Sequence, residues 1–433
     1  MNLMPSHRTS KARVDCFPEA PAEWQRCAFS TVAEINPLYR MGTAAQHPFL
    51  DMAALREDFG GIVGYDSRAF DSSYSRFQKD DTLFAKITPC AENGKVAFVE
   101  GVPSDVGLGS TEFIVLSPRE GFDPYFVYSL ASCPAVHRRA VSRMEGSTGR
   151  LRITEKTFTK WLWVAVPPTS NEQTRIAETL KAADDHIRAI EEQIRKAERV
   201  KKALLQSLFV DGMPGTKADR VETKVGIVPT HWIVQRIGKT FRGPPFNGVS
   251  PESRPNPPGT PILNVGCVND GLCTLTNLSY VDVDEVTILA NAAKKGDFFV
   301  LRGNGNRDYV GTGGWLREDP PQNCIFSDKL IRLRFDTERV AEGFYPYLWQ
   351  SRAFQIRLQS KAQSSSGLWM MNKRDISREW VALPPKDEQE GMVVILDAAS
   401  SQLAALIQQL TAARRVKQSL LQNLLTGKIR LKA

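Results

Sequence analysis

The side chains of this 433-residue chain that could do chemistry are cations set beside small polar loops. His137-Arg138-Arg139 and Arg143 are followed by Gly146-Ser147-Thr148-Gly149-Arg150, and Arg352, Arg357 and Lys361 by Ser364-Ser365-Ser366-Gly367. A basic helix running into a Ser/Gly loop lets long cations meet phosphates, while the small residues let backbone N–H groups approach. One such stretch is as well explained by a solvated helix face and an ordinary loop; its recurrence favours contact with nucleic acid. Arg302, Asn304, Asn306 and Arg307 lie on a Gly-rich loop after a predicted strand. Arg and Asn are the side chains that read guanine and adenine edges. Lys86 and Thr88 are assigned to the equivalent loop upstream, and Gly303-Asn304-Gly305 to the place of Thr88-Pro89-Cys90.

Signatures of catalysis are missing. The chain has no G-x-x-x-x-G-K-[ST] phosphate loop, no H-E-x-x-H and no G-x-S-x-G. Asn256-Pro257-Pro258-Gly259 resembles the Asn-Pro-Pro-aromatic motif of adenine methylases, but lacks the aromatic that would stack on a base and reads as a turn. Gly303-Asn304-Gly305 and Gly311-Thr312-Gly313-Gly314 lack the strand-to-helix context of a dinucleotide site. Five dispersed histidines suggest no metal cluster. Seven cysteines, none in a C-x-x-C, argue against a disulfide framework or structural zinc and for a reducing compartment, the cytoplasm. The expectation is therefore a chain with no catalytic residue, no metal and no cofactor of its own.

A net charge of +8 and a pI of about 9.1 suit an anionic partner, nucleic acid first. The N-terminus is polar, with no apolar signal region. No run of about 18 apolar residues is evident, so no membrane span is expected.

Two long helical patterns position these groups. The first runs from about Glu172 to Val210, with an apolar seam at Ile176, Leu180, Ala183, Ile187, Ile190, Ile194, Ala197, Leu204 and Leu208. The second repeats it 216 residues on (Ile176 to Met392), at Met392, Leu396, Ala399, Leu403, Leu406, Leu410, Ala413, Leu420 and Leu424. Steps of four and three make a coiled-coil seam. Each seam is broken once, at Lys201 and Lys417. Each helix follows a Pro-Pro pair (Pro167-Pro168, Pro384-Pro385) and a Glu-Gln (Glu172-Gln173, Glu388-Gln389), and each ends alike, E-R-V-K-K-A-L-L-Q-S-L-F from Glu198 and R-R-V-K-Q-S-L-L-Q-N-L-L from Arg414. Capping boxes are predicted on Ser170 with Gln173 and on Asp387 with Glu390. At 1.5 Å per residue each helix measures roughly 55–60 Å. A single exposed seam would be insoluble, so each helix most simply buries the other's.

The chain thus reads as a duplication of head and helix. Pro21-Ala22-Glu23-Trp24 opens the first head and Pro229-Thr230-His231-Trp232 the second; Asp211 to Lys224 links the halves. Short apolar runs at Val96–Val99, Phe113–Leu116, Phe298–Leu301 and Leu330–Phe335 predict strands. Helical stretches are predicted around Tyr125–Val141 and Phe344–Gln359, so the heads are mixed α+β.

Taken in order, Phe84-Ala85-Lys86-Ile87-Thr88-Pro89-Cys90, Glu92-Asn93-Gly94-Lys95, Gly109-Ser110-Thr111-Glu112-Phe113, Gly226-Ile227-Val228-Pro229 with Trp232, and both Pro-Pro…Glu-Gln helix starts resemble the specificity (S) subunit of type I restriction-modification enzymes over nearly the whole length. The resemblance implies an α+β fold: two mixed α/β target-recognition domains, separated by two long antiparallel coiled-coil helices in a pseudo-two-fold duplication. The domains would be 1–168 and 213–385, and the helices 169–212 and 386–433. It implies a non-catalytic subunit that binds a bipartite double-stranded DNA target, one half-site per head. The helices would dock two methyltransferase (modification) subunits carrying S-adenosylmethionine, and restriction/translocase subunits would add ATP- and Mg-dependent translocation and cleavage. The competing readings are a coiled-coil scaffold with protein-binding heads and a standalone DNA-modifying enzyme.

Overall fold

A computed structural model describes residues 12–147, 149–215, 218–269, 271–365 and 367–431. It falls into two compact units, Met1–Glu192 with Gln408–Ala433, and Gln193–Ile407. Each unit takes one head, part of the first long helix and part of the second, a different division from the segments read along the sequence. The helices run Ser170–Asp211 and Lys386–Leu425, 42 and 40 residues.

In the first unit a strand Phe113–Pro118 pairs with Ala33–Ile35 on one side and Thr82–Ala85 on the other, and Val96–Phe98 extends the sheet. A second four-stranded sheet holds His47–Leu50 and Gly107–Gly109, and a three-stranded one carries Leu162–Val166 up to the long helix. The second unit has a six-stranded sheet with Phe298–Leu301 and Gly313–Trp315 at its centre and Leu330–Leu333 beside the former, and a four-stranded sheet with Thr260–Leu263. Both predicted head helices are broken into two. Pro134 splits the first into Pro124–Ser132 and Pro134–Val141; the second divides at Ser351 into Phe344–Gln350 and Arg352–Gln359. Pro134 ends a helix because it lacks an N–H and disfavours helical geometry at the residue before it.

Each core is shared between a head and both helices. In the first unit Phe29, Phe84, Phe126 and Phe158 pack with Ile176 and Leu180 from the start of the first helix and Leu421, Leu424 and Leu425 from the end of the second. In the second unit Phe298, Phe344 and Trp349 pack with Leu208 from the end of the first helix and Met392 and Leu396 from the start of the second. The helices therefore run antiparallel within each unit. A fully buried Leu is worth roughly 1.5–3 kcal/mol, so each head depends on helix segments remote in sequence. Ile187, Ile190 and Leu406 are also buried, and Ile194, Leu204, Leu403, Leu410 and Leu420 half-buried. Off the seam, Val200, Val394, Ile407 and Val416 are exposed.

The second helix contains a stretch long and apolar enough by composition to cross a membrane, which corrects the expectation that none would be found. The reason is that alanines and valines flank its seam. The seam itself is covered by protein: Met392 and Leu396 lie in the second core and Leu424 in the first.

The duplicated helix starts also have a physical reason. Gln173 Nε2 donates to the Pro167 carbonyl at 3.3 Å, and Gln389 Nε2 to the Pro384 carbonyl at 2.8 Å, tying each helix to the strand before it. The predicted capping boxes are corrected. Thr169 Oγ1, not Ser170, accepts from Glu172 N (3.4 Å), and in the second helix Gln389 is the side chain that anchors the start. The partner of each Gln, Glu172 or Glu388, turns to the tryptophan that opens a head. Glu388 accepts from Trp232 Nε1 at 3.3 Å and from Met213 N at 3.1 Å, while Glu172 binds Arg430, which lies over the Trp24 ring.

Candidate nucleic-acid interface

Residues that sequence reasoning placed in separate groups come together on a three-stranded ribbon, once in each head. In the first head the strands Glu145–Ser147 and Arg150–Arg152 form a hairpin, and Ile87 bridges to Arg152 beside it. Thr88 N donates to Leu151 O (3.1 Å) and Ile153 N to Lys86 O (2.8 Å). In the second head Gln363–Ser365 and Leu368–Met370 form the hairpin, and Gly303–Asn304 pairs with Met370 and Trp369. Met371 N donates to Arg302 O (2.8 Å). Matching hydrogen bonds align Lys86 with Arg302, Thr88 with Asn304 and Arg152 with Met370. The earlier alignment of Gly303 with Thr88 is thus corrected by one residue: Gly303 stands at Ile87.

Each hairpin turns on a glycine with positive φ, Gly149 (84°) and Gly367 (79°), a conformation that favours glycine. Gly303 answers a different need, since a Cβ there would lie 2.5 Å from Met370 Sδ. Alternation along each hairpin points Leu151 and Trp369 towards the cores, where both pack, leaving Arg150 and Arg152 on the outer face in the first head. Ser147 and Arg150 are exposed, as are Ser364, Asn306 and Arg307, while Lys86, Thr88, Arg302 and Asn304 are half-buried. Arg307 lies over the Trp369 ring, 5.0 Å from its centroid. The Thr88 hydroxyl donates to Leu151 O (3.3 Å). Ser365 is described by its backbone only; Thr148 and Ser366 lie outside the described residues.

The basic helices contribute less than expected. Arg143 is only 6% exposed and donates to Ala12 O (3.0 Å), so it is an interior residue. Burial lowers its guanidinium's pKa. Arg357 and Lys361 both neutralise Glu379, a buried carboxylate. Desolvating that charge requires its partners, so Arg143 is corrected to an interior residue, while Arg357 and Lys361, both half-buried, are committed to Glu379 rather than left free for phosphates. Arg138 and Arg352 remain exposed and Arg139 half-exposed.

Sequence reasoning missed a pair. Arg152 embraces Glu112: Nε lies 3.1 and 3.2 Å from the carboxylate oxygens, and Nη2 lies 2.7 Å from Oε1. Glu112 sits opposite Lys86, whose N–H donates to its carbonyl (2.9 Å), immediately after a turn in which Ser110 caps the Glu112 N–H (3.2 Å). Arg152 holds the Glu112 carboxyl below its ordinary pKa, and Glu112 raises that of Arg152. In the second head the residue at the Glu112 position is Lys329, whose carbonyl accepts from Arg302 N (2.7 Å). The available signal was Glu112 in its G-S-T-E-F run, but nothing in the sequence linked it to Arg152.

All seven cysteines are free, and among the described residues no three His, Cys, Asp or Glu side chains gather as metal ligands. Asn256–Gly259 forms the turn between the strands Ser253–Arg254 and Thr260–Leu263.

Comparison with known proteins agrees with this architecture. The family described as type I restriction modification DNA specificity domain matches residues 36–199. The EcoKI specificity subunit of Escherichia coli is 24% identical over 367 residues, covering 78% of this chain and 75% of its own. The MjaVIII specificity subunit of Methanocaldococcus jannaschii is 24% identical over 324 residues, covering 72% and 71%. Among solved structures, a chain of a type I restriction-modification system superimposes with a TM-score of 0.56 at 19% identity, covering 95% of this chain and 99% of that one. The S subunit from M. genitalium gives 0.57 at 13% identity, covering 93% and 96%. These structures share the fold. With duplicated α+β heads and matched long helices, the family match and these relatives support a specificity subunit of a type I restriction-modification enzyme.

Proposed function

We propose that this chain supplies sequence recognition to a type I restriction-modification complex, with each head reading one half of a bipartite duplex DNA target through its ribbon. The observation that carries this reading is the recurrence of one ribbon with different side chains. A cation leads both, Lys86 and Arg302, and the outer positions diverge, Arg152 against Met370 and Glu112 against Lys329. A shared scaffold with divergent exposed side chains suits two heads that read different half-sites. Lys86, Thr88, Ser147, Arg150, Arg302, Asn304, Asn306, Arg307 and Ser365 are the contacts, with Arg138, Arg139 and Arg352 approaching phosphates.

The chain carries out no chemistry itself in this reading. Methyltransferase subunits holding S-adenosylmethionine dock on the long helices, whose exposed Val394, Ile407 and Val416 give them apolar surface. Restriction subunits use ATP and Mg, and the assembly works in the cytoplasm. Footprinting of the chain assembled with its modification subunits tests the proposal. Two protected half-sites about one helical turn apart, roughly 34 Å, are expected. One uninterrupted short site would overturn it.

A further inference from the structure

We propose that Arg152 is a guanine-reading residue of the first head, held for that task by Glu112, and that the second head has no equivalent reader. This rests on the reading of the ribbons as the DNA-facing surfaces. A guanidinium has five N–H donors in a fixed plane. Glu112 engages the edge formed by Nε and Nη2, while Nη1 makes no hydrogen bond among the described residues. The other edge, Nη1 with the second Nη2 hydrogen, is therefore free, and it has the spacing that matches guanine O6 and N7. The Arg152 side chain is 45% exposed and that of Glu112 22%, so the arginine is the outer member of the pair.

Fixing the fork beforehand removes rotamer freedom that binding would otherwise have to quench. It also restrains a long cation from settling on the nearest phosphate. Glu145 lies directly across the hairpin from Arg152 but accepts no hydrogen bond from it, so Glu112 alone sets the plane. Glu112 is itself fixed by the Ser110 turn and the backbone bond to Lys86. In the second head Met370 and Lys329 occupy the two positions, and neither can form such a fork. Glu112 is thus a positioning residue and Arg152 the reader.

The test uses the full chain assembled with its modification subunits, selecting from duplex DNA randomised through both half-sites. Arg152→Lys keeps the positive charge and removes the fork. It should reduce discrimination for guanine at one position of one half-site by roughly 10- to 100-fold, with every other position and the second half-site unchanged. Glu112→Gln should relax the same position and add little in the Arg152→Lys background. A profile unchanged at every position in Arg152→Lys, whether affinity is retained or uniformly lowered, would overturn the proposal and leave the pair as a clamp or a phosphate contact. Arg150→Ala and Lys86→Ala are the controls for the underlying reading. If neither these nor Arg152→Ala alters DNA affinity or its salt dependence, the ribbon is not the DNA-facing surface and both proposals fall.

Discussion

Lys417 Nζ lies 2.5 Å from an Asp184 carboxylate oxygen at the polar break in the second helix's seam, with side chains only 13% and 14% exposed. Asp184 also accepts from the Tyr125 hydroxyl at 2.7 Å, so the seam lysine, the first helix and the first head are joined at one carboxylate. The duplication places Lys201 and Ser400 at the corresponding positions of the second unit, where the serine offers no charge. Removing one member of a partly buried pair strands the other. Asp184→Asn should destabilise the first unit by roughly 2–4 kcal/mol, measured by denaturation with a reporter in the first head. A change within 0.5 kcal/mol would show that the pair is energetically idle.

The same asymmetry predicts how separated halves pair. In a symmetric dimer of 12–212, each Lys201 meets the other copy's Asp184, giving two ion pairs; in a dimer of 217–433, each Lys417 meets Ser400. Sedimentation of the two halves should show the N-terminal one associating more tightly, by 10-fold or more if each pair is worth about 1 kcal/mol. Equal dissociation constants, or tighter pairing of the C-terminal half, would contradict it.

Arg430 holds both oxygens of Glu172 and also reaches Glu23. Glu172 is buried, so Arg430→Ala leaves an unpaired interior charge. The expected cost is roughly 3–5 kcal/mol, confined to the first unit, with Arg430→Lys partly restoring it. Hydrogen exchange should show faster opening around Trp24, with the second head unaffected.

Asp81 is buried, and burial pushes its carboxyl up to about 6 despite hydrogen bonds from Gln78 N and the Tyr39 hydroxyl. Because the folded-state pKa is raised, the protonated acid favours the fold. That contribution is whole below about pH 4 and is lost as pH rises through about 6. Asp81→Asn should therefore gain stability relative to the natural chain between pH 4 and pH 7, by up to about 3 kcal/mol. Parallel melting curves across that range would rule this out.

Exposed and internal cations should separate in salt titrations. Arg150→Ala and Arg307→Ala should each lower the slope of log affinity against log salt by about 1. Arg143→Ala and Lys361→Ala should leave the slope alone and lower the melting temperature instead.

Much of the frame is legible in the sequence because its signal is periodic. The heptad steps from Ile176 to Leu208 and from Met392 to Leu424 survive as buried or half-buried seam positions. The strands Phe298–Leu301 and Phe113–Pro118 were marked by unbroken apolar runs. The individual cations were harder to place, since a basic side chain reveals its charge but not its destination. Arg143 and Lys361 turn inward because Ala12 O and Glu379, remote in sequence, wait there. Arg152 carries no local signal, because its partner Glu112 lies 40 residues away. Gln173 has the spacing of a capping residue, but its side chain is drawn instead to the Pro167 carbonyl.

The first head's core contains Leu421, Leu424 and Leu425, which follow that head's own last strand, Leu162–Val166, only after the whole of the second head. During synthesis the first head therefore waits for the second head and the second long helix before its hydrophobic interior can close. A ribosome that stops between the two, or a frameshift there, releases a product whose earlier head is unfinished. Order of translation and order of folding run in opposite directions here, and proteases that clear exposed apolar surface can discard an incomplete chain.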